Sequence, residues 1–192
     1  RLAAEILSEW SGRPVAPRNV RYDPEPIPEE NVFRALDGAT ARVTMSGGDF
    51  FLLELFPEEA PVTVATFARL ASEGYYDGLT FYRVEPNFVI QGGSPAADEY
   101  VGNGPFMRDE LGLLSHDRGT VGISTRGRDT GDAQIFINLV DNPRLDHNYT
   151  VFARVSEGIE VVDRILAGDI IESIRIELTL ASGPPRPSSP VT

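Results

Sequence analysis

Short apolar runs separated by glycine-bearing turns constrain this chain more than any other feature. Residues 39–46 and 49–56 flank Gly47-Gly48, which predicts a hairpin with a two-residue loop. Further strands are predicted at 80–84, 88–91, 120–124, 134–139 and 150–155. A final strand over 170–180 carries Ile171, Ile174, Ile176, Leu178 and Leu180. Two helical patterns interrupt the series. Residues 57–73 set Val64, Phe67, Ala68 and Ala71 on one face and stop at Gly74, and residues 159–167 turn Val162, Ile165 and Leu166 inward and stop at Gly168. Many strands, two helices and frequent glycine turns point to a β-barrel, in which closure removes exposed sheet edges.

The two ends of the chain read differently. Residues 2–10 place Leu2, Ile6 and Trp10 four apart, a short amphipathic helix. Nine residues do not hold a helix alone, so this face is expected to pack on the barrel or on a preceding helical domain. Residues 12–30 hold five prolines and only scattered apolar positions. The expected division is a helix at 1–11, a proline-rich linker at 12–35, the barrel domain at 36–180 and a disordered tail at 181–192. The chain is expected to be part of a longer protein.

Composition excludes several functions. Twenty-nine acidic against 17 basic residues give a net charge of −12, so no nucleic-acid partner is expected. No run approaches the roughly 18 apolar residues of a membrane helix. Without cysteine there is no disulfide, thiol nucleophile or thiolate metal site. The two histidines, His116 and His147, lack the paired spacing of a zinc site, and the loop carboxylates Asp129, Asp132, Asp141 and Asp146 read as solvated. Neither a metal nor a cofactor is expected. Gly102-Asn-Gly104 lacks the third glycine of a dinucleotide loop, and Ser124 lacks the glycine setting of a nucleophile elbow.

Two segments carry the functional signal. Phe81-Tyr-Arg-Val-Glu-Pro-Asn-Phe-Val-Ile-Gln-Gly-Gly93 presents one cation, Arg83, and one amide, Gln91, beside Phe81 and Phe88. Two glycines end it, where the backbone turns or lies close to something. Asp132-Ala-Gln-Ile-Phe-Ile-Asn138 repeats the theme around Gln134 and Phe136. Together they resemble the signature of the cyclophilins, peptidyl-prolyl cis-trans isomerases, over residues 39–180. The resemblance implies a mainly β fold, a closed eight-stranded antiparallel barrel capped by two α-helices. It also implies Arg83 as catalytic donor, Gln91 as anchor of the substrate carbonyl and Phe136 in the proline pocket. Phe88, Val89 and Leu145 would line that pocket, the backbone at Thr125 would pair with the peptide, and Gln134 would sit at the rim. Tyr82, Arg126 and Tyr149 complete the substrate-binding set, with Tyr149 closing the pocket near the pyrrolidine ring.

Several positions depart from the family pattern. Tyr82 and Tyr149 stand where His is usual, Arg126 where a small residue is common, Val89 for Met, and Arg144 for the Trp of several members. The expected function is isomerisation of X-Pro bonds in proline-containing polypeptides, assisting folding. The alternative is a proline-peptide binding or chaperone module with weak catalysis. A monomer, tethered to another domain of the same chain and located outside the cytoplasm (periplasmic or membrane-anchored), is the expected setting.

Overall fold

Strand β1 (Thr40–Met45) turns Ala41, Val43 and Met45 inward, the period-2 pattern of a half-buried strand. Strand β2 (Phe50–Leu55) does the same with Phe51, Leu53 and Leu55. These elements belong to a computed structural model that describes residues 2–16 and 25–178. Four residues, 46–49, separate β1 from β2, and the pair of Met45 and Asp49 closes the turn over three residues rather than the predicted two. The Met45 N–H donates to the Asp49 carbonyl at 2.8 Å, and Gly48 between them takes φ +86°. A residue in the left-handed region is how a twisted hairpin closes over three residues.

The remaining strands are β3 (Thr80–Phe81), β4 (Arg83–Glu85), β5 (Val89–Gly92), β6 (Thr120–Ile123), β7 (Ile135–Asn138), β8 (Val151–Glu157) and β9 (Asp169–Glu177). They form one antiparallel ladder in the order β3-β9-β1-β2-β8-β6-β7-β5-β4. The count is nine, not the expected eight, because the predicted strand at 80–84 breaks at Tyr82. Thr80 and Phe81 pair with β9, whereas Arg83 to Glu85 pair with β5. The two ends of the ladder are therefore separated by one residue of chain, and the backbone at Tyr82 closes the barrel. Gly92 belongs to the same seam: a Cβ there would lie 2.7 Å from the Thr80 carbonyl oxygen.

Strand β9 explains an irregular sequence pattern. Ile171 and Ile174 are three apart, yet both are fully buried. Met45 pairs with Ile171 and Thr44 with Ser173, so Glu172 is an extra residue, a bulge that restores the inward face.

The helices are α1 (Leu2–Ser11), α2 (Glu30–Ala35), α3 (Pro61–Ser72) and α4 (Ile159–Val162). Helix α3 buries Val64, Phe67, Ala68 and Ala71, and Phe67 packs on Phe152 of the barrel at 5.1 Å between ring centroids. It begins at Pro61 instead of residue 57, because a residue before proline is disfavoured in the helical region; Ala60 sits at φ −142°, ψ 66°. Helix α4 has four residues, where nine were predicted. Val162 and Ile165 are buried, but Leu166, expected inward, is 68% exposed because the chain has left the helical period before reaching it. The stretch expected as linker at 12–35 contains α2, followed by the buried Leu36. On α1, Ile6 and Trp10 are 56% and 86% exposed, so the barrel does not cover that face. The tail at 181–192 lies outside the described residues. Among those described, no helix is long and apolar enough to cross a membrane.

Candidate active site

Strand register assembles the site. Arg83 on β4 stands opposite Gln91 on β5, Gln91 opposite Phe136 on β7, and Phe136 opposite Gly122 on β6. Directly opposed residues share a face of the sheet, so a cation, an amide and an aromatic ring form one row across three strands. The row ends in a glycine for a steric reason. A Cβ on Gly122 would lie 2.4 Å from Cζ of Phe136, so the ring occupies the place of the missing side chain.

Beside this row is a cavity of about 170 Å³ lined by Arg83, Phe88, Val89, Gln91, Glu99, Ser124, Thr125, Phe136, Leu145 and Tyr149. Val89, Phe136 and Leu145 form a small buried cluster of their own, flanked by Phe88 and Tyr149. The Tyr149 ring stands edge-on to Phe136 at 5.8 Å and 88°. Behind Phe136 lies the buried His116, stacked at 5.6 Å and 18°. His116 Nε2 is 3.3 Å from the Tyr149 carbonyl and Nδ1 is 3.2 Å from the Asn138 amide nitrogen. That pairing suits a neutral ring with its hydrogen on Nε2, and burial pushes the His116 pKa below the usual histidine value.

The opposite wall is polar. Arg83 donates from Nη1 to Gln91 Oε1 at 3.3 Å and from Nε to Glu85 Oε1 at 3.3 Å. Gln91 Nε2 donates to the Tyr82 hydroxyl at 2.5 Å and to Ser124 Oγ at 2.8 Å. A greasy slot with a fixed cation at its lip suits a small apolar ring attached to a polar backbone.

The family model for the cyclophilin type peptidyl-prolyl cis-trans isomerase/CLD matches residues 40–180. The chain belongs to the cyclophilin family. It is 39% identical over 140 residues to peptidyl-prolyl cis-trans isomerase B of Bacillus subtilis (strain 168), covering 72% of this chain and 98% of the relative. To a peptidyl-prolyl cis-trans isomerase of Helicobacter pylori (strain ATCC 700392 / 26695) it is 44% identical over 126 residues, covering 64% and 77%. The crystal structure of a Cryptosporidium parvum cyclophilin superposes with a TM-score of 0.67 at 26% identity, over 73% of this chain and 98% of that one.

Within this cyclophilin, eight of the eleven expected site residues line the cavity: Arg83, Gln91, Phe136, Phe88, Val89, Thr125, Leu145 and Tyr149. Tyr82, Gln134 and Arg126 do not. Gln134, expected at the rim, is fully buried and donates from Nε2 to the Val101 carbonyl at 3.0 Å. Tyr82, expected to touch substrate, gives its hydroxyl hydrogen to Gln134 Oε1 at 2.7 Å. Arg126 is an exposed residue whose guanidinium donates to the buried Asp132 carboxylate at 2.7 Å and to the Glu99 carbonyl at 2.7 Å. Buried carboxylates need such partners, and Asp132 takes a second bond from the Gln134 N–H.

The other loop carboxylates, read as solvated, also bond backbone amides. Asp129 accepts from the Asp109 N–H, Asp141 from that of Arg118 and Asp146 from that of His116. Among the described residues, no three His, Asp or Glu side chains gather as a metal site. Four contributors went unrecognised in the sequence: Glu85, Glu99, Ser124 and His116. Glu85 alone left a signal, its spacing of two from Arg83 on one strand, which puts both side chains on one face.

Proposed function

We propose that Arg83 and the slot floored by Phe136 carry the isomerase chemistry of this cyclophilin. An X-Pro amide is planar, and the barrier of roughly 18–20 kcal/mol comes from breaking its resonance. Halfway round, the imide nitrogen loses conjugation and its lone pair becomes an acceptor. Arg83 is the donor for that lone pair, since a guanidinium stays charged and carries five N–H groups in a rigid fork. Gln91 holds the guanidinium at Nη1 and Glu85 holds it at Nε, and the remaining N–H groups serve the substrate. Val89, Phe136, Leu145 and Tyr149 hold the pyrrolidine ring, and the backbone at Thr125 pairs with the peptide. Both hydrogens of the Gln91 amide are engaged by Tyr82 and Ser124, so a substrate carbonyl anchors there only by displacing one of them. A five-decade acceleration requires about 7 kcal/mol of binding realised only in the twisted state.

The row Arg83, Gln91, Phe136 is the observation that carries this reading. Arg83→Ala should lower catalysed exchange of an Ala-Pro peptide about 100-fold while peptide affinity changes little, as for an interaction made in the transition state. NMR exchange spectroscopy and titration measure the two quantities, and equal losses in both would reduce Arg83 to a ground-state binder.

The Glu85 ion pair favours a second reading, a proline-peptide binding or chaperone module with weak catalysis, because the carboxylate competes for the Arg83 fork. Peptide-induced shifts without catalysed exchange would support it. Action as a monomer on proline-containing polypeptides is the proposed setting, and analytical ultracentrifugation checks the oligomeric state. The proline-rich stretch ahead of α2 supports tethering within a longer protein. We propose a location outside the cytoplasm (periplasmic or membrane-anchored), which cell fractionation checks.

A further inference from the structure

The hydrogen bonds around Gln91 have a direction, and one backbone carbonyl sets it. The Val101 carbonyl can only accept, so Gln134 gives it Nε2 at 3.0 Å and turns Oε1 the other way. Gln134 Oε1 takes the hydrogen of the Tyr82 hydroxyl at 2.7 Å. Having given its one hydrogen, that hydroxyl offers only lone pairs to Gln91, whose Nε2 donates to it at 2.5 Å. Ser124 Oγ receives the other Gln91 hydrogen at 2.8 Å, while the direct approach of Gln91 Nε2 to Gln134 Oε1, at 3.3 Å, is longer than the bond through Tyr82. Gln91 is left with its oxygen toward Arg83, the only end of the amide that a guanidinium can bond. Gln134 is fully buried and Gln91 is 4% exposed, so bulk water does not replace a missing partner.

We infer that Tyr82 is a positioning residue, which orients the Gln91 amide and through it the Arg83 guanidinium without touching the peptide. The inference rests on the isomerase reading of Arg83. Tyr82 stands outside the cavity lining. As the single residue between β3 and β4, it is also held from both sides by the sheet. Burial, aided by the Glu99 carboxylate, pushes the Tyr82 pKa up to about 12, so the phenol keeps the hydrogen it gives to Gln134.

The test is a double-mutant cycle of Tyr82→Phe and Gln91→Leu, with catalysed exchange of an Ala-Pro peptide and peptide Kd measured for each variant. Tyr82→Phe removes only the hydroxyl. Its turnover is expected to fall about 3- to 10-fold, the value of one net hydrogen bond, at unchanged Kd. In the Gln91→Leu background the same substitution should change nothing further, because the group it acts through is gone. Unchanged turnover in Tyr82→Phe, a matching loss of affinity, or an equal loss in the Gln91→Leu background overturns the inference. If the unsubstituted domain does not catalyse exchange, the isomerase reading fails and the positioning claim is judged on the Gln91 side-chain amide signals. Slow hydrogen exchange that Tyr82→Phe abolishes supports it, and fast exchange in the unsubstituted domain overturns it.

Discussion

His116 lies parallel to Phe136, with ring centroids 5.6 Å apart, so the floor of the slot rests on a buried titratable ring. Burial depresses the His116 pKa, and the folded state therefore favours the neutral form. The unfolded chain binds the extra proton first, near the ordinary histidine value of about 6.5. The stability that comes from a neutral His116 is present above that value and is lost as pH falls through the depressed folded pKa. Thermal midpoints of the unsubstituted domain and of His116→Asn, compared from pH 7.5 down to pH 5, should converge. A constant difference across that range counts against the assignment.

Gly122 is the counterpart of Phe136 on the neighbouring strand. Gly122→Ala puts a methyl group 2.4 Å from Cζ of Phe136, so the ring must tilt into the slot. Overpacking of this kind costs about 1–3 kcal/mol. The expected result is weaker peptide binding together with a lower chemical-denaturation midpoint. Crystallography of the variant should show a displaced Phe136, and an unmoved ring with unchanged affinity would remove Gly122 from the site.

Arg126 and Asp132 form a pair whose carboxylate is buried, at 1% side-chain exposure against 24% for the guanidinium. Arg126→Ala strands that carboxylate, at a cost of about 3 kcal/mol. Adding Asp132→Asn should recover part of the loss, because a neutral amide costs less to bury unpaired. Urea denaturation of the two single variants and the double variant measures the coupling. Additive losses would show that the two side chains act independently.

Arg144 carries its guanidinium 4.2 Å from the centroid of the Phe88 ring, beside the slot. The family resemblance puts a Trp here in several members that bind cyclosporin in this groove. Arginine supplies less flat apolar area, and loss of the aromatic contact together with the indole hydrogen bond is worth about 2–4 kcal/mol, or about 30- to 1000-fold in affinity. Isomerase activity should therefore resist submicromolar cyclosporin, and Arg144→Trp should restore part of the inhibition. Nanomolar inhibition of the unsubstituted domain would contradict this.

The barrel class and the row of Arg83, Gln91 and Phe136 were both legible along the chain. Strand periodicity is local: Ala41, Val43 and Met45 alternate on one strand, and Phe67 follows the period of one helix, so no knowledge of distant partners is needed to read them. Arg83, Gln91 and Phe136 were legible because their spacing is a family signature. What the sequence left open depends on contacts between distant segments. The break at Tyr82 follows from a strand that changes partners, from β9 to β5. The bulge at Glu172 exists only against Thr44 and Met45. Three expected contact residues lie outside the lining of the slot for the same reason. Tyr82 found Gln134, Gln134 found Val101, and Arg126 found the buried Asp132. A polar side chain that loses water must bond whatever the fold brings near it, and for Tyr82 and Gln134 that group comes from a segment far away in the chain.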